Sequence, residues 1–402
     1  MTDHRALRLL RENPELAELA AYPFNLDLDR TEHVESVRLA SGGPLTAIAG
    51  DDTGGTYFRC PDGAILYAGS EGEAGLIADG LDEALETLIG LPCWHDHVHL
   101  DPDATDTELA AEIADSEKEL AEYYGPGLDA DRDRLLAALG LRRIAPAELV
   151  RRLHRALRRT EPDHLLLNAE GLNAYTPLTE RSHLPLRETV LAPGHADLAL
   201  LRARPAGHAD SAEATADPAR RATALRAARY DRRPADLPLL RHLLLAEARF
   251  GPTDELRLAA VLIGLYGDPA DHRLLSSLRE RDPEIRDLLG GFPDRPEQLR
   301  SWAGDLDDSS HGQDPGAEPD LTWARLARRQ GRTELARCTL IRLLDDVGPR
   351  DEDLLPFLAH ELTLLGDHPQ AARARRLHSA AGADPSATST FHARLQRAAT
   401  AP

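Results

Sequence analysis

Hydrophobic residues near the start of the chain fall at Leu7, Leu10, Leu16 and Leu19, close to the 3.6-residue period of an α-helix. Asn13-Pro14 interrupts the run and predicts a stop followed at once by a new N-cap, because proline has no amide proton and suits only a first helical turn. From Phe24 to Tyr67 the pattern breaks into short apolar runs: Val34, Val37 and Leu39; Leu45, Ala47 and Ile48; Tyr57 and Phe58; Ile65, Leu66 and Tyr67. Gly42-Gly43-Pro44, Gly54-Gly55 and Pro61-Asp62-Gly63 lie between them and supply the backbone angles of tight turns, so this is an antiparallel β region. The helical period returns with Leu76, Ile77, Leu81, Leu85, Leu88 and Ile89, which fit one face of a single helix ending at Pro92.

Thr105 to Tyr124 predicts an acidic helix closed by Gly125-Pro126-Gly127, followed by helices over Asp131 to Leu141 and Pro146 to Arg159. The last of these is strongly basic, and its arginines are expected to pair with acidic helices of the same chain. Residues 160–235 are rich in Pro, His and Ala; patches such as Leu165-Leu166-Leu167 and Leu198-Ala199-Leu200-Leu201 read as strands or irregular cover. Beyond Asp236 the pattern is helical, except for the acidic, Ser/Pro/Gly-bearing stretch Asp305 to Asp320, which reads as a linker. Ala324, Ala327, Gly331 and Ala336 answer to Ala359, Leu362, Gly366 and Ala371 at a constant separation of 35 (324 to 359, 331 to 366, 336 to 371). That period resembles tetratricopeptide-type helical hairpins, and Gly264-Leu265-Tyr266-Gly267-Asp268 resembles a further HEAT or tetratricopeptide unit.

Composition narrows the chemistry. The 402 residues hold 47 Lys plus Arg against 68 Asp plus Glu, a net charge of −21, which argues against nucleic acid or an anionic membrane as partner and favours a basic one. Three cysteines, Cys60, Cys93 and Cys338, without CxxC spacing, exclude a disulfide scaffold and a thiolate zinc knuckle. The charged N-terminus lacks the apolar core of a signal peptide, so the expected location is cytoplasmic. Lys118 is the only lysine, set between Glu117 and Glu119, which removes Walker A, kinase-type and Schiff-base chemistry. Neither His360-Glu361, nor Asp129, Asp131 and Asp133, nor Ser70 completes a zincin, calcium-loop or nucleophile-elbow motif.

One segment carries a family resemblance. Ile48-Ala49, Asp51-Asp52 before Gly54-Gly55-Thr56, the Tyr57-Phe58 strand, the Asp62-Gly63 hairpin, Ile65-Leu66-Tyr67, Glu71 and a helix over Ala78 to Leu85 follow in order. The segment resembles the SUKH superfamily, which includes yeast cell-wall-synthesis regulators and immunity proteins against bacterial polymorphic toxins. Leu81 and Leu85 stand where that family often has phenylalanine. The resemblance implies an α+β domain that binds proteins and catalyses nothing. Asp51, Asp52, Thr53, Glu71 and Glu73 are its expected partner-contact surface, with turn chemistry as the alternative role of Asp51-Asp52.

A second signal competes. In Trp94-His95-Asp96-His97-Val98-His99-Leu100-Asp101 an extended backbone would align His95, His97, His99 and Asp101 as a zinc or iron shell, the basis of a metal-dependent hydrolase; the alternative is a polar loop. An amidohydrolase barrel would also need a bridging lysine, two further histidines and an aspartate, each at its own strand end, but the sole lysine, Lys118, lies in an acidic helix and no alternating β/α pattern follows. The sequence thus predicts an α+β chain with a SUKH-like antiparallel domain at 1–104, a helical and irregular region at 105–235, HEAT/TPR-like helices at 236–304, a linker at 305–320, TPR-like hairpins at 321–382 and a tail at 383–402. Its expected role is non-enzymatic binding of another protein, a basic toxin in the immunity reading, without cofactor; a pure repeat scaffold or adaptor is the further alternative.

Overall fold

The computed structural model describes residues 4–179, 185–203, 216–311, 318–348 and 351–381. Contacts divide the chain into two compact units, Met1–Leu184 and Pro185–Pro402. The first is mixed α+β; the second has helices and no strand among its described residues.

In the first unit, α1 (Arg5–Glu12) and α2 (Pro14–Ala21) meet at Asn13, whose side chain accepts from Leu16 N while its own N–H closes α1 on Leu10 O. Strands β1 (Val37–Leu39), β2 (Thr46–Gly50), β3 (Thr56–Arg59), β4 (Ile65–Ala68) and β5 (Glu73–Ala78) follow. After α3 (Leu81–Gly90), a 3-10 helix over Trp94–His99, α4 (Asp106–Tyr124), α5 (Leu128–Leu139) and α6 (Pro146–Leu157) come β6 (Leu166–Asn168) and β7 (Thr176–Pro177). The main sheet has the order β2-β3-β4-β5-β7, antiparallel except where β7 joins β5 in parallel; β1 and β6 form a separate antiparallel ribbon.

Both sheet faces are covered. Tyr57, Ile65, Tyr67 and Ile77 enter one core with residues of α1 to α6, while Phe58, Leu66, Ala68 and Leu76 enter the other with Leu39 and Leu166 of the ribbon. This double cover explains one misreading. Leu76 and Ile77 lie in β5, not in the helix that follows, and α3 begins only at Leu81 after Gly80. Ala74 to Ala78 is buried on both sides, so the strand loses the alternation that would announce it.

The expected boundary at 104 is not a break in packing, because Leu109, Ile113, Leu135, Leu149 and Leu153 join the same core as the sheet. Thr105 and Glu108 form a reciprocal capping box at the start of α4. The basic helix α6 pairs as its charge suggests: Arg151 meets Asp106 at 2.7 Å, and Arg152 meets Glu86 at 3.0 Å.

The second unit opens with α7 (Leu186–Ala203) and α8 (Pro218–Tyr230). The Leu198 to Leu201 patch is therefore helical, not strand or irregular cover; Pro193 inside α7 disguised the pattern. A Cβ on Gly194 would come 2.4 Å from Thr223 O, so glycine lets the two helix backbones touch. Helices α9 (Leu237–Glu247), α10 (Asp254–Gly264), α11 (Pro269–Arg281), α12 (Pro283–Leu288) and α13 (Leu299–His311) follow. The expected linker is helical over Asp305–His311, because Trp302 and Ala303 bury in the core and Arg229 pairs with Asp307 at 3.2 Å. Residues 312–317 of that stretch, and the tail at 383–402, lie outside the described residues.

Two hairpins close the described unit: α14 (Asp320–Arg329) with α15 (Thr333–Asp345), and α16 (Leu355–Leu364) with α17 (His368–Ala381). They turn identically. Gly331 and Gly366 share φ +77°, and Arg332 N donates to Ala327 O as Asp367 N donates to Leu362 O, the Schellman arrangement of a helix end. Among the described residues, no helix is long and apolar enough to cross a membrane.

Candidate functional site

Asp51 follows directly on β2 and is 1% exposed. Its Oδ1 accepts from Thr53 N (3.0 Å), Thr53 Oγ1 (2.9 Å) and Gly55 N (2.7 Å), and its Oδ2 accepts from the Tyr67 hydroxyl (2.8 Å). Arg30 Nη1 donates to its carbonyl at 2.8 Å. Both oxygens of this buried carboxylate accept from donors within the protein, so Asp51 braces the β2–β3 turn and does not present its charge at the surface. Gly55 is obligatory there: a Cβ would sit 2.1 Å from the Tyr67 hydroxyl oxygen, and the bond to Asp51 could not form. Burial and the Asp51 charge push the Tyr67 phenol up, keeping it a proton donor.

Tyr67 extends the brace to the histidine-rich segment. Its ring meets Trp94 edge-on at 5.0 Å and His95 at 4.7 Å, and His95 stacks on Trp94 at 3.6 Å. Burial lowers the His95 pKa, opposed by Asp51, Asp96 and Asp52, and its Nε2 is buried without a hydrogen-bond partner.

The histidines do not form the predicted metal shell. Residues 94–99 are a 3-10 helix closed by Asp96 N to Cys93 O and Leu100 N to His97 O, so alternate residues diverge. His97 is buried, His95 lies against Tyr67, and His99 and Asp101 are exposed. Trp94 and His97, three apart and both buried, share one face of this 3-10 helix, which has three residues per turn, and Val98 beside them is buried as well. Among the described residues, the group of three ligating side chains that does converge is Cys60, Asp62 and His164. His164 Nε2 lies 3.1 Å from Asp62 Oδ2, and burial, with Asp62 adding, pushes the Cys60 thiol up to about 12. Pattern reading took Pro61-Asp62-Gly63 for a turn alone and missed this set, because His164 is 102 positions from Asp62 and no local spacing joins them.

The remaining partner-contact candidates gather at the opposite end of the sheet from that hairpin. Asp52, Thr53 and Glu71 are exposed on the β2–β3 and β4–β5 turns, and Ser70 Oγ clips the two turns together by donating to Thr53 O at 3.1 Å. Glu73 is half-buried and folds over Gly69, where a Cβ would strike its carboxylate at 1.8 Å. Two adjacent, internally braced turns thus present exposed carboxylates at Asp52 and Glu71. Compared with known proteins, this chain matches no family model, no curated protein and no solved structure.

Proposed function

We propose that this chain is a non-enzymatic binding protein, with an immunity role against a basic toxin as its specific reading. The observation that carries it is the acidic rim. Asp52 and Glu71 stand exposed on turns fixed by the Asp51 carboxylate and the Ser70–Thr53 clip. A preset anionic edge on a chain of net charge −21 speeds encounter with a basic surface and spends little entropy on docking. The SUKH resemblance of the same segment supports this reading, and the proposed contact set is Asp52, Thr53 and Glu71, with Asp51 and Glu73 in supporting roles.

Affinity capture of the full chain from its source cell, at low and high salt, tests the proposal. The expected result is a basic protein partner whose capture weakens in high salt and in the Asp52→Arg/Glu71→Arg double variant. Recovery of no protein, or turnover of a small substrate by the purified chain, overturns it. The paired hairpins, turning alike at Gly331 and Gly366 and carrying exposed Leu364 and Leu377, favour a second reading as a helical scaffold. On that reading Leu364→Asp, and not the rim variant, abolishes capture.

A further inference from the structure

We infer that Cys60, Asp62 and His164 form a binding site for one divalent metal ion, with zinc the best-matched cation. One sulfur, one carboxylate oxygen and one imidazole nitrogen lie within 4.8 Å of one another. The 3.1 Å between His164 Nε2 and Asp62 Oδ2 suits two ligands of one tetrahedral ion as well as it suits a hydrogen bond. A thiolate, an imidazole and a carboxylate are the ligand types that zinc accepts together, whereas calcium and magnesium demand oxygen alone.

The donors are held before any ion arrives. Cys60 N donates to Ala64 O and Gly63 N to Cys60 O, closing the β3–β4 hairpin. Asp62 Oδ1 accepts from Ala64 N at 3.1 Å, which leaves Oδ2 turned to His164. His164 is fixed from both sides. Its N–H donates to Thr160 O, Thr160 Oγ1 accepts from Leu76 N of β5, and the next residue, Leu165, accepts from Ala40 N beside the β1–β6 ribbon. Cys60 and His164 are buried, while the Asp62 side chain is 48% exposed and offers a route in from solvent.

Three protein ligands would leave a fourth position to water. This inference does not rest on the acidic rim, which lies at the other end of the sheet.

The test is titration of the chelator-stripped full chain with Co²⁺, then competition with Zn²⁺. One equivalent of Co²⁺ is expected, with a near-ultraviolet thiolate-to-cobalt charge-transfer band that Zn²⁺ abolishes. Cys60→Ser is expected to remove the band, and Cys93→Ser to leave it. His164→Gln and Asp62→Asn are expected to weaken binding by at least the ~10–100-fold that altering an outer-shell partner costs. A band that survives Cys60→Ser, or an unaltered chain that takes up no equivalent, overturns the assignment. Should Cys60→Ser lose its circular dichroism, the other two variants decide: binding unchanged in both defeats the site.

Discussion

The Asp51 turn and the interior of the helical unit both bury carboxylates, and they neutralise them with different donors. Asp51 is met by two backbone amides, one threonine hydroxyl and one phenol, none of them charged. In the helical unit Glu247 meets Arg221 at 2.6 Å, and Arg226 sits 3.2 Å from both Glu255 and Glu318, every one of these side chains nearly inaccessible. The donors to Asp51 come mainly from the next four residues, so the device shapes a loop. The arginine pairs join distant parts of the unit, Arg221 and Arg226 of α8 reaching α9, α10 and, 92 positions away, Glu318 just ahead of α14, so they set which helix faces which. Neutral donors avoid the cost of burying a second charge, whereas a buried ion pair must recover the desolvation of two. Arginine suits the second task, because its planar fork binds two carboxylates at once.

Removing one partner of a buried pair separates the two devices most sharply. Arg221→Ala strands the Glu247 carboxylate, and the expected loss is about 3–5 kcal/mol in urea unfolding followed by circular dichroism. Arg221→Met with Glu247→Met should recover most of that loss, because a packed apolar pair removes the stranded charge. A single-variant loss below about 1 kcal/mol would show that water reaches Glu247 and that its burial is not maintained.

The Asp51 turn should respond less and more locally. Asp51→Ala leaves the Gly55 amide and the Tyr67 hydroxyl without their acceptor inside the fold, for an expected cost of about 3 kcal/mol. Tyr67→Phe removes one bond to a charged acceptor and should cost about 1.5–2 kcal/mol, while hydrogen exchange at the Gly55 amide stays slow. Rapid exchange at Gly55 in Tyr67→Phe would mean that the phenol, and not the turn's own amides, holds Asp51 in place.

This contrast also explains what could be read from the chain alone. Local devices are visible in sequence: Asn13-Pro14 between two helices, Thr105 with Glu108, Gly54-Gly55 beside Asp51, and the 35-residue recurrence of Gly331 and Gly366. Devices that need the assembled fold are not. Arg226 and Glu318 carry no mutual spacing signal, and neither do Cys60 and His164. The β5 strand read as helix because the ribbon covers its second face, and the histidine segment left a polar loop and a metal shell both open because three alternating imidazoles give no sign that Trp94, His97 and Val98 wind into the core. For the rim, the loops were legible but the exposure was not: Asp51 and Asp52 are neighbours in sequence, yet one is enclosed and the other open.

Acid should separate the first unit's neutral polar groups from its exposed charges. Burial is the largest influence on His33, His95 and His97 and lowers all three pKa values from 6.5, so the folded chain binds fewer protons than the unfolded one just below that pH. Their contribution is complete above pH 6.5 and declines as pH falls through 6.5 toward the folded values. Between pH 7 and pH 5 the unfolding midpoint of the full chain is expected to drop, and His97→Gln should flatten that dependence. A dependence as steep in His97→Gln as in the parent would assign the acid sensitivity elsewhere.

The smallest effect on stability is expected at the rim, where the largest effect on association is proposed. Asp52→Ala and Glu71→Ala remove exposed carboxylates that no fold-forming bond uses, so thermal midpoints should stay within experimental scatter of the parent. Association with the captured partner should nevertheless slow, and its rate should become less sensitive to salt, because steering charge acts on encounter before contact is made. Asp51→Ala should show the reverse order, with a large loss of stability and a weaker partner only through a loosened turn. If Asp52→Ala lowers the midpoint as Asp51→Ala does, the two aspartates share one structural task and the rim has no surplus charge to present. If the midpoint holds and the association rate does not change, Asp52 is idle surface.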